Sequence, residues 1–234
     1  MARLARVVVP GFPHHVTQRG NRRERVFFGD DDCGAYLGLI ASAARASGTE
    51  VWAYCLMPNH VHFVMAPSHE DGLRATFAEA HRRYTARIHA CEKWTGHLWQ
   101  GRFSSTCMDE RHLIAAARYV PMNPVRARLV AKAADWPWSS ARAHLAGKDD
   151  ELVTVRPLLD RIGDFAALLE AAEDEAAVMA IRRSRSTGRP VGAEDWIRTL
   201  ETSLGRGLAA GKRGPKPRTA VAEEQAELFH TVSQ

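Results

Sequence analysis

The chain has 234 residues, 45% of them hydrophobic and 25% charged, which excludes disorder throughout and allows one sizeable core with an appendage. Its apolar runs, such as Val7-Val8-Val9 and Ala115-Ala116-Ala117, fall far short of the roughly 18 residues of a bilayer span, so no membrane partner is expected. The net charge of +5 is unevenly spread: arginines 3, 6, 19, 22, 23 and 25 precede Phe28 against Glu24 alone, and arginines 182, 183, 185 and 189 lie in a stretch without acids. Such patches point to an anionic partner.

In chain order, His14 to Arg19 reads as a first strand that ends at the turn signal Gly20-Asn21 and an arginine-rich loop. A helix follows, capped by Asp30 or Asp31, with Tyr36, Leu37, Leu39, Ile40 and Ala44 as its apolar face and Ser47-Gly48 as its stop. Thr49 to Met57 and His60 to Ala66 are rich in β-branched and aromatic residues and are joined by Pro58-Asn59, which predicts a hairpin. From Asp71 to about Cys91, Leu73, Phe77, Tyr84 and Ile88 recur at helical spacing on a basic helix. Trp99 to Met108 reads as a fourth strand, and Asp109 opens a helix reaching Tyr119. This succession predicts an α+β fold, a ferredoxin-like split βαβ antiparallel sheet with helices on one face, plus a mainly helical C-terminal extension. The expected units are 1–148 for the main domain, 149–205 for the helical extension and 206–234 for a loose basic tail containing GKRGPKPR.

Cys33, Cys55, Cys91 and Cys107 form no C-x-x-C, so reduced thiols are the default. The N-terminal MARLARVVVPG lacks the roughly 7–15-residue apolar stretch of a secretory leader, and a cytoplasmic protein is expected. Between Asp149 and Glu175 nine acids face only Arg156 and Arg161, reversing the charge balance of the flanking regions.

Two features carry chemistry. His60 and His62 lie two apart in a strand, so both imidazoles share one sheet face while Val61 and Phe63 take the other, a spacing suited to a metal pair and equally to two hydrogen-bonded surface histidines. A buried pair costs desolvation unless something uses its nitrogens. Tyr119 and Asn123 are four apart and would project from one side of a helix; the plain alternative is a core tyrosine followed by a helix-ending asparagine before Pro124.

Five segments in order, VVPGFPHHVTQRGNRRERVFF, AYCLMPNHVHFVM, HLWQGRFSS, ARYVPMNPVRARLV and DWPWSSARAH, resemble the IS200-like single-tyrosine transposases of the HUH superfamily, and within them the REP-associated subgroup. The resemblance covers about Pro10 to His144 and implies that His60 and His62 bind a metal, that Tyr119 is the nucleophile and that Asn123 is a third, amide ligand. It also implies cleavage and rejoining of single-stranded, hairpin-bearing DNA through a 5′-phosphotyrosine. Pro121 departs from the family pattern, because a proline there removes a helical hydrogen bond and kinks the axis. The chemistry is coherent: a phenol of pKa about 10 is roughly 0.1% ionised at pH 7, and a divalent ion, Mg²⁺ or Mn²⁺, would draw charge from the phosphate it attacks.

Arg19, Arg22, Arg23 and Arg25 on the first loop, Arg82, Arg83 and Arg87 on the second helix, and Arg126 and Arg128 after the Asn123-Pro124 corner are candidate phosphate contacts. Each is equally compatible with a solvated charged face. Trp94, Trp99 and Phe103 could stack bases or fill the core, while Trp136 and Trp138 are read as packing that closes the domain. Two other readings stand beside the transposase: a domesticated, non-cleaving DNA-binding protein of the same fold, and a histidine-dependent metal hydrolase. The sequence leaves monomer and homodimer both open.

Overall fold

The computed structural model describes residues 6–208; the GKRGPKPR segment lies outside the described residues. One antiparallel sheet contains β1 (His14–Arg19), β2 (Thr49–Met57), β3 (His60–Pro67) and β4 (Ser104–Cys107) in the order β2-β3-β1-β4. Helix α1 (Asp30–Ala46) connects β1 to β2, α2 (Gly72–Glu92) connects β3 to β4, and α3 (Glu110–Tyr119) follows β4. Beyond it come α4 (Asn123–Arg126), α5 (Ala141–Ala146), α6 (Arg156–Ile162), α7 (Phe165–Glu170), α8 (Glu175–Thr187) and α9 (Glu194–Leu204). Strands β1 and β2 run in the same direction with β3 between them, which is the split βαβ arrangement expected from the element order. No helix among the described residues is long and apolar enough to cross a membrane.

Alternation along β3 divides the molecule. Val61, Phe63 and Met65 point to one face, where they meet Tyr36 and Ile40 of α1 and Leu73, Phe77 and Tyr84 of α2. Phe63 and Phe77 stack edge to face at 5.7 Å between centroids. The opposite face carries Val64 and Ala66 together with Ala53, Cys55 and Met57 of β2, covered by Leu113, Ala116 and Tyr119 of α3 and by Val178 and Ile181 of α8. The two long helices thus share one face as expected, and the C-terminal extension supplies much of the cover for the other. A shift of register between Val51 and Ala53 lets β2 follow both layers, since it moves one residue from one face to the other.

Several local expectations change. The fourth strand is shorter than Trp99–Met108: Gly101 has φ +61°, and the chain turns there, sending Trp99 and Phe103 into the α1–α2 core. Neither ring is therefore free to stack on a base; Trp99 lies flat on His81 at 4.4 Å. Trp94 stays exposed, its ring against Phe28. Gly29, not Asp30 or Asp31, occupies the cap of α1, and Asp32 Oδ2 accepts the amide of Phe28, so the three acids act from within the first turn on the helix dipole. Trp136 and Trp138 close the edge of β2 as expected, with the Trp136 indole donating to Leu56 O and Leu56 N–H to Trp138 O.

Asp109 ties the extension to the sheet. Its Oδ1 caps α3 by accepting from His112 N and from the His112 ring, and its Oδ2 accepts from Ala193 N at the start of α9. Burial opposes ionisation of this carboxyl, but the hydrogen bonds outweigh it and hold its pKa below the ordinary range. A depressed folded-state pKa stabilises above the unfolded value near 3.8 and the gain disappears as pH falls through the folded value. Urea titrations across pH should accordingly show Asp109→Asn less stable than wild type by about 1 kcal/mol at pH 7, with the gap narrowing as pH falls below the unfolded value of 3.8. On the other face, Phe63→Ala should lower unfolding stability by about 3–5 kcal/mol, read from the urea midpoint, because the ring is fully buried between two helices.

Candidate functional site

His60 and His62 stand on the face of β3 covered by α3 and α8. Their rings lie 4.9 Å apart between centroids at 74°. His60 opens the strand directly after the hairpin turn, and its Nδ1 lies 2.6 Å from Asn59 Oδ1. The orientation of that amide is fixed, because Asn59 Nδ2 donates to Arg23 O at 2.8 Å. An amide oxygen can only accept, so His60 carries its proton on Nδ1 and presents a lone pair at Nε2.

Antiparallel pairing then brings in a residue that the sequence reading left out. Thr17 of β1 faces His62 and His15 faces Val64, so His15 sits diagonally beside His62 on the same surface. His15 Nε2 lies 3.1 Å from His62 Nδ1, with the rings stacked at 5.3 Å. Tyr119 closes the cluster from the end of α3: its ring meets His62 edge-on at 5.5 Å and His15 at 5.9 Å. The Tyr119 side chain is nearly buried.

Cations surround these neutral rings. The Arg126 guanidinium lies 4.6 Å from the centroid of the Tyr119 ring and that of Arg182, on α8, 5.2 Å from it. Arg126 Nη1 also donates to Tyr119 O. Glu173 pairs with both Arg126 and Arg118. Helix α8 is seated by Thr106 Oγ1 on Ser184 Oγ at 2.9 Å and by Ser104 Oγ donating to Arg185 O at 2.9 Å. Burial, reinforced by Arg19 and Arg185, lowers the His60 pKa to about 4; burial and Arg185 lower that of His15 to about 3. His62 is held well below the ordinary range by burial and then by the neighbouring histidines and arginines. All three imidazoles are therefore neutral at pH 7, the form that ligates metals.

The other expected residues are placed unevenly. Arg19, opposite His60 in register, lies at the edge of the cluster. Arg22, Arg23 and Arg25 are exposed on the adjoining loop. That loop is pinned to the hairpin turn by Gly20 N–H on Asn59 O, a close approach in which a Cβ at position 20 would meet Glu24 O at 2.3 Å. Arg82, Arg83 and Arg87 do not join the cluster: α2 packs on the opposite face of the sheet, Arg82 pairs with Glu79, and Arg87 with Asp32. Arg128 is exposed beyond α4.

Asn123 departs most from the expected geometry. Pro121 has no N–H to continue the helical ladder, α3 ends at Tyr119, and Asn123 begins a separate short helix. Its Nδ2 donates to Tyr119 O at 2.9 Å and Val120 O at 3.1 Å, satisfying carbonyls that the end of α3 leaves bare. Among the described residues no group of three His, Cys, Asp or Glu side chains forms a metal cage. The residues that would hold a metal are the two imidazoles of His60 and His62, each backed by a hydrogen-bond contact at Nδ1. Arg182, Arg185 and His15 are the functional candidates the sequence reading missed; the arginine run at 182–189 was visible but had no location, and His15 shares a face with Arg19 by strand periodicity alone.

Residues 9–123 match the family described as Transposase IS200 like. The chain is 28% identical over 111 residues to the REP-associated tyrosine transposase of Escherichia coli (strain K12), an alignment covering 46% of this chain and 63% of that protein. It is 28% identical over 102 residues to a putative REP-associated tyrosine transposase of Haemophilus influenzae (strain ATCC 51907 / DSM 11121 / KW20 / Rd), covering 39% and 58%. The matched region thus spans about three fifths of these relatives' own lengths. In fold, the chain is similar to a solved REP-associated tyrosine transposase bound to a REP hairpin, with a TM-score of 0.52 at 23% identity, over 66% of this chain and 92% of that one. His15, His60, His62, Tyr119 and Asn123 fall inside the matched residues, whereas Arg126, Glu173, Arg182 and Arg185 lie beyond them.

Glu173 is the acid that offsets the arginines beside Tyr119. Glu173→Gln leaves two half-buried guanidiniums without a counter-charge and should cost about 1–3 kcal/mol of unfolding stability in low-salt urea titrations.

Proposed function

Because residues 9–123 belong to the IS200-like transposases, we propose that this chain cuts and rejoins single-stranded DNA beside a hairpin, using Tyr119 as nucleophile. The observation that supports this reading most directly is the meeting of the Tyr119 and His62 rings at 5.5 Å, from a helix end and a strand far apart in sequence. Neither packing layer requires three polar rings at that point.

The residues divide the work by chemistry. His60 and His62 would hold a divalent ion, Mg²⁺ or Mn²⁺, through their Nε2 atoms; when bound, it acts as a Lewis acid on a non-bridging phosphate oxygen. The phenolic oxygen of Tyr119 forms a bond to phosphorus as the bond to the 3′ oxygen breaks, giving a 5′-phosphotyrosine and a free 3′-hydroxyl. A phosphotyrosine keeps the energy of the original diester, so the reverse attack by a 3′-hydroxyl rejoins a strand without ATP. Arg126 and Arg182 flank the Tyr119 ring and offer forked donors to the phosphate. Arg19, with Arg22, Arg23 and Arg25 on its adjoining loop, extends this positive surface along the strand. Tyr119 is 4% exposed, so DNA reaches it by displacing side chains, and long arginines are the least costly to move. Asn123 donates to backbone carbonyls through Nδ2, so its Oδ1 is the atom that would serve as the third, amide ligand beside the two histidines.

A second reading draws on the same burial of Tyr119 and the capping role of Asn123: a protein that keeps the fold, binds DNA through its arginines and does not cut it. Labelled single-stranded oligonucleotides bearing a hairpin, incubated with the protein and Mn²⁺, distinguish the two. A protein–DNA adduct that survives denaturant is expected, lost with a chelator and lost in Tyr119→Phe while DNA retention on a gel persists. Retention with no adduct in the wild-type protein supports the non-cleaving reading, and cleavage with no adduct removes Tyr119 from the chemistry.

A further inference from the structure

We infer that His15 is a positioning residue for the metal pair: its Nε2 accepts the Nδ1 proton of His62 and so turns the Nε2 lone pair of His62 toward the ion. This rests on the reading of His60 and His62 as metal ligands.

The inference follows from counting protons. Each neutral imidazole carries one, and the 3.1 Å contact between His15 Nε2 and His62 Nδ1 holds one proton between two nitrogens. If His62 supplies it, the far side of the His62 ring presents a lone pair, and both members of the pair then share one tautomer. His60 reaches that tautomer by a separate device, the Asn59 amide oxygen at 2.6 Å. If His15 supplied the proton instead, His62 would carry N–H at Nε2 and could not ligate. His15 is not itself a third ligand, because it approaches His62 from the nitrogen opposite the one that would face the ion.

A second observation separates this role from packing. His15 Nδ1 is buried without a hydrogen-bond partner among the described residues, while the rest of the ring lies against His62 and Tyr119. An orphaned polar atom in the interior costs stability, and an apolar ring of similar shape would avoid that cost. A residue present only to fill space would be better as phenylalanine. The imidazole at position 15 is explained by what its other nitrogen does for His62.

The test uses Mn²⁺ alone, titrated calorimetrically into the whole protein, with thermal unfolding recorded for each variant. His15→Phe removes the orphaned Nδ1 of His15 but leaves the buried Nδ1 of His62 without its partner, so the unfolding temperature should change little while Mn²⁺ binding weakens about 10- to 100-fold, the usual effect of removing the hydrogen-bond partner of a ligating histidine. His15→Gln, whose side-chain oxygen can accept a proton, should recover part of the affinity. In the metal-free wild type, long-range ¹H–¹⁵N spectra should show His62 protonated at Nδ1. An Nε2–H tautomer at His62, or unchanged Mn²⁺ affinity in His15→Phe when His62→Ala has lost it, overturns the inference. If His62→Ala binds Mn²⁺ as the wild type does, the metal reading itself fails, whatever His15 does.

Discussion

The register between β1 and β3 is the constraint on which the rest of this structure depends. It places Val16 between the helices α1 and α2 and, two-residue alternation being what it is, puts His15, Thr17 and Arg19 on the face that already holds His60 and His62. A slip of one residue would set His15 or Thr17 opposite Phe63 and expel Val16 from the core. The hydrophobic layer on one side therefore determines which polar groups meet on the other. Packing and chemistry are two faces of one strand pairing.

The second face owes its character to the C-terminal extension. Helix α8 buries Val178 and Ile181 against α3 and the sheet, and the same docking brings Arg182 over Tyr119 and Arg185 into the field of the histidines. Neutral imidazoles thus lie among cations, and Glu173 offsets Arg118 and Arg126 together. A site of low water content lined by guanidiniums favours an anion far more than the same charges would in solvent. Three of these arginines, Arg126, Arg182 and Arg185, lie outside the segment that matches the IS200-like family.

Helix α3 shows how one proline shapes a site. Ending the helix at Tyr119 leaves carbonyls without partners; Asn123 caps two of them, and Arg126 donates to the carbonyl of Tyr119 while its charge lies over the ring of the same residue. A continuous helix would have carried Asn123 and Arg126 onward along the axis. The broken one folds both back around the tyrosine.

Much of this was legible from the amino acids in order. The strands at 14–19 and 49–57, the hairpin and the helices around Tyr36, Phe77 and Leu113 are written in periodicities of two and 3.6, which depend only on near neighbours. The shared face of His60 and His62 is local in the same sense. The length of β4 was not legible, because Gly101 turns a β-prone segment back toward the core. Nor was the role of Asn123, which depends on carbonyls left open where α3 ends. Strand order decided that His15 would lie beside His62, and helix docking decided that the arginines of 182–189 would reach Tyr119 while those of α2 would not. Those outcomes join residues far apart in sequence, His15 and His62 by 47 positions and Tyr119 to the 182–189 run by more, or separate them by a sheet, and no local pattern carries that information.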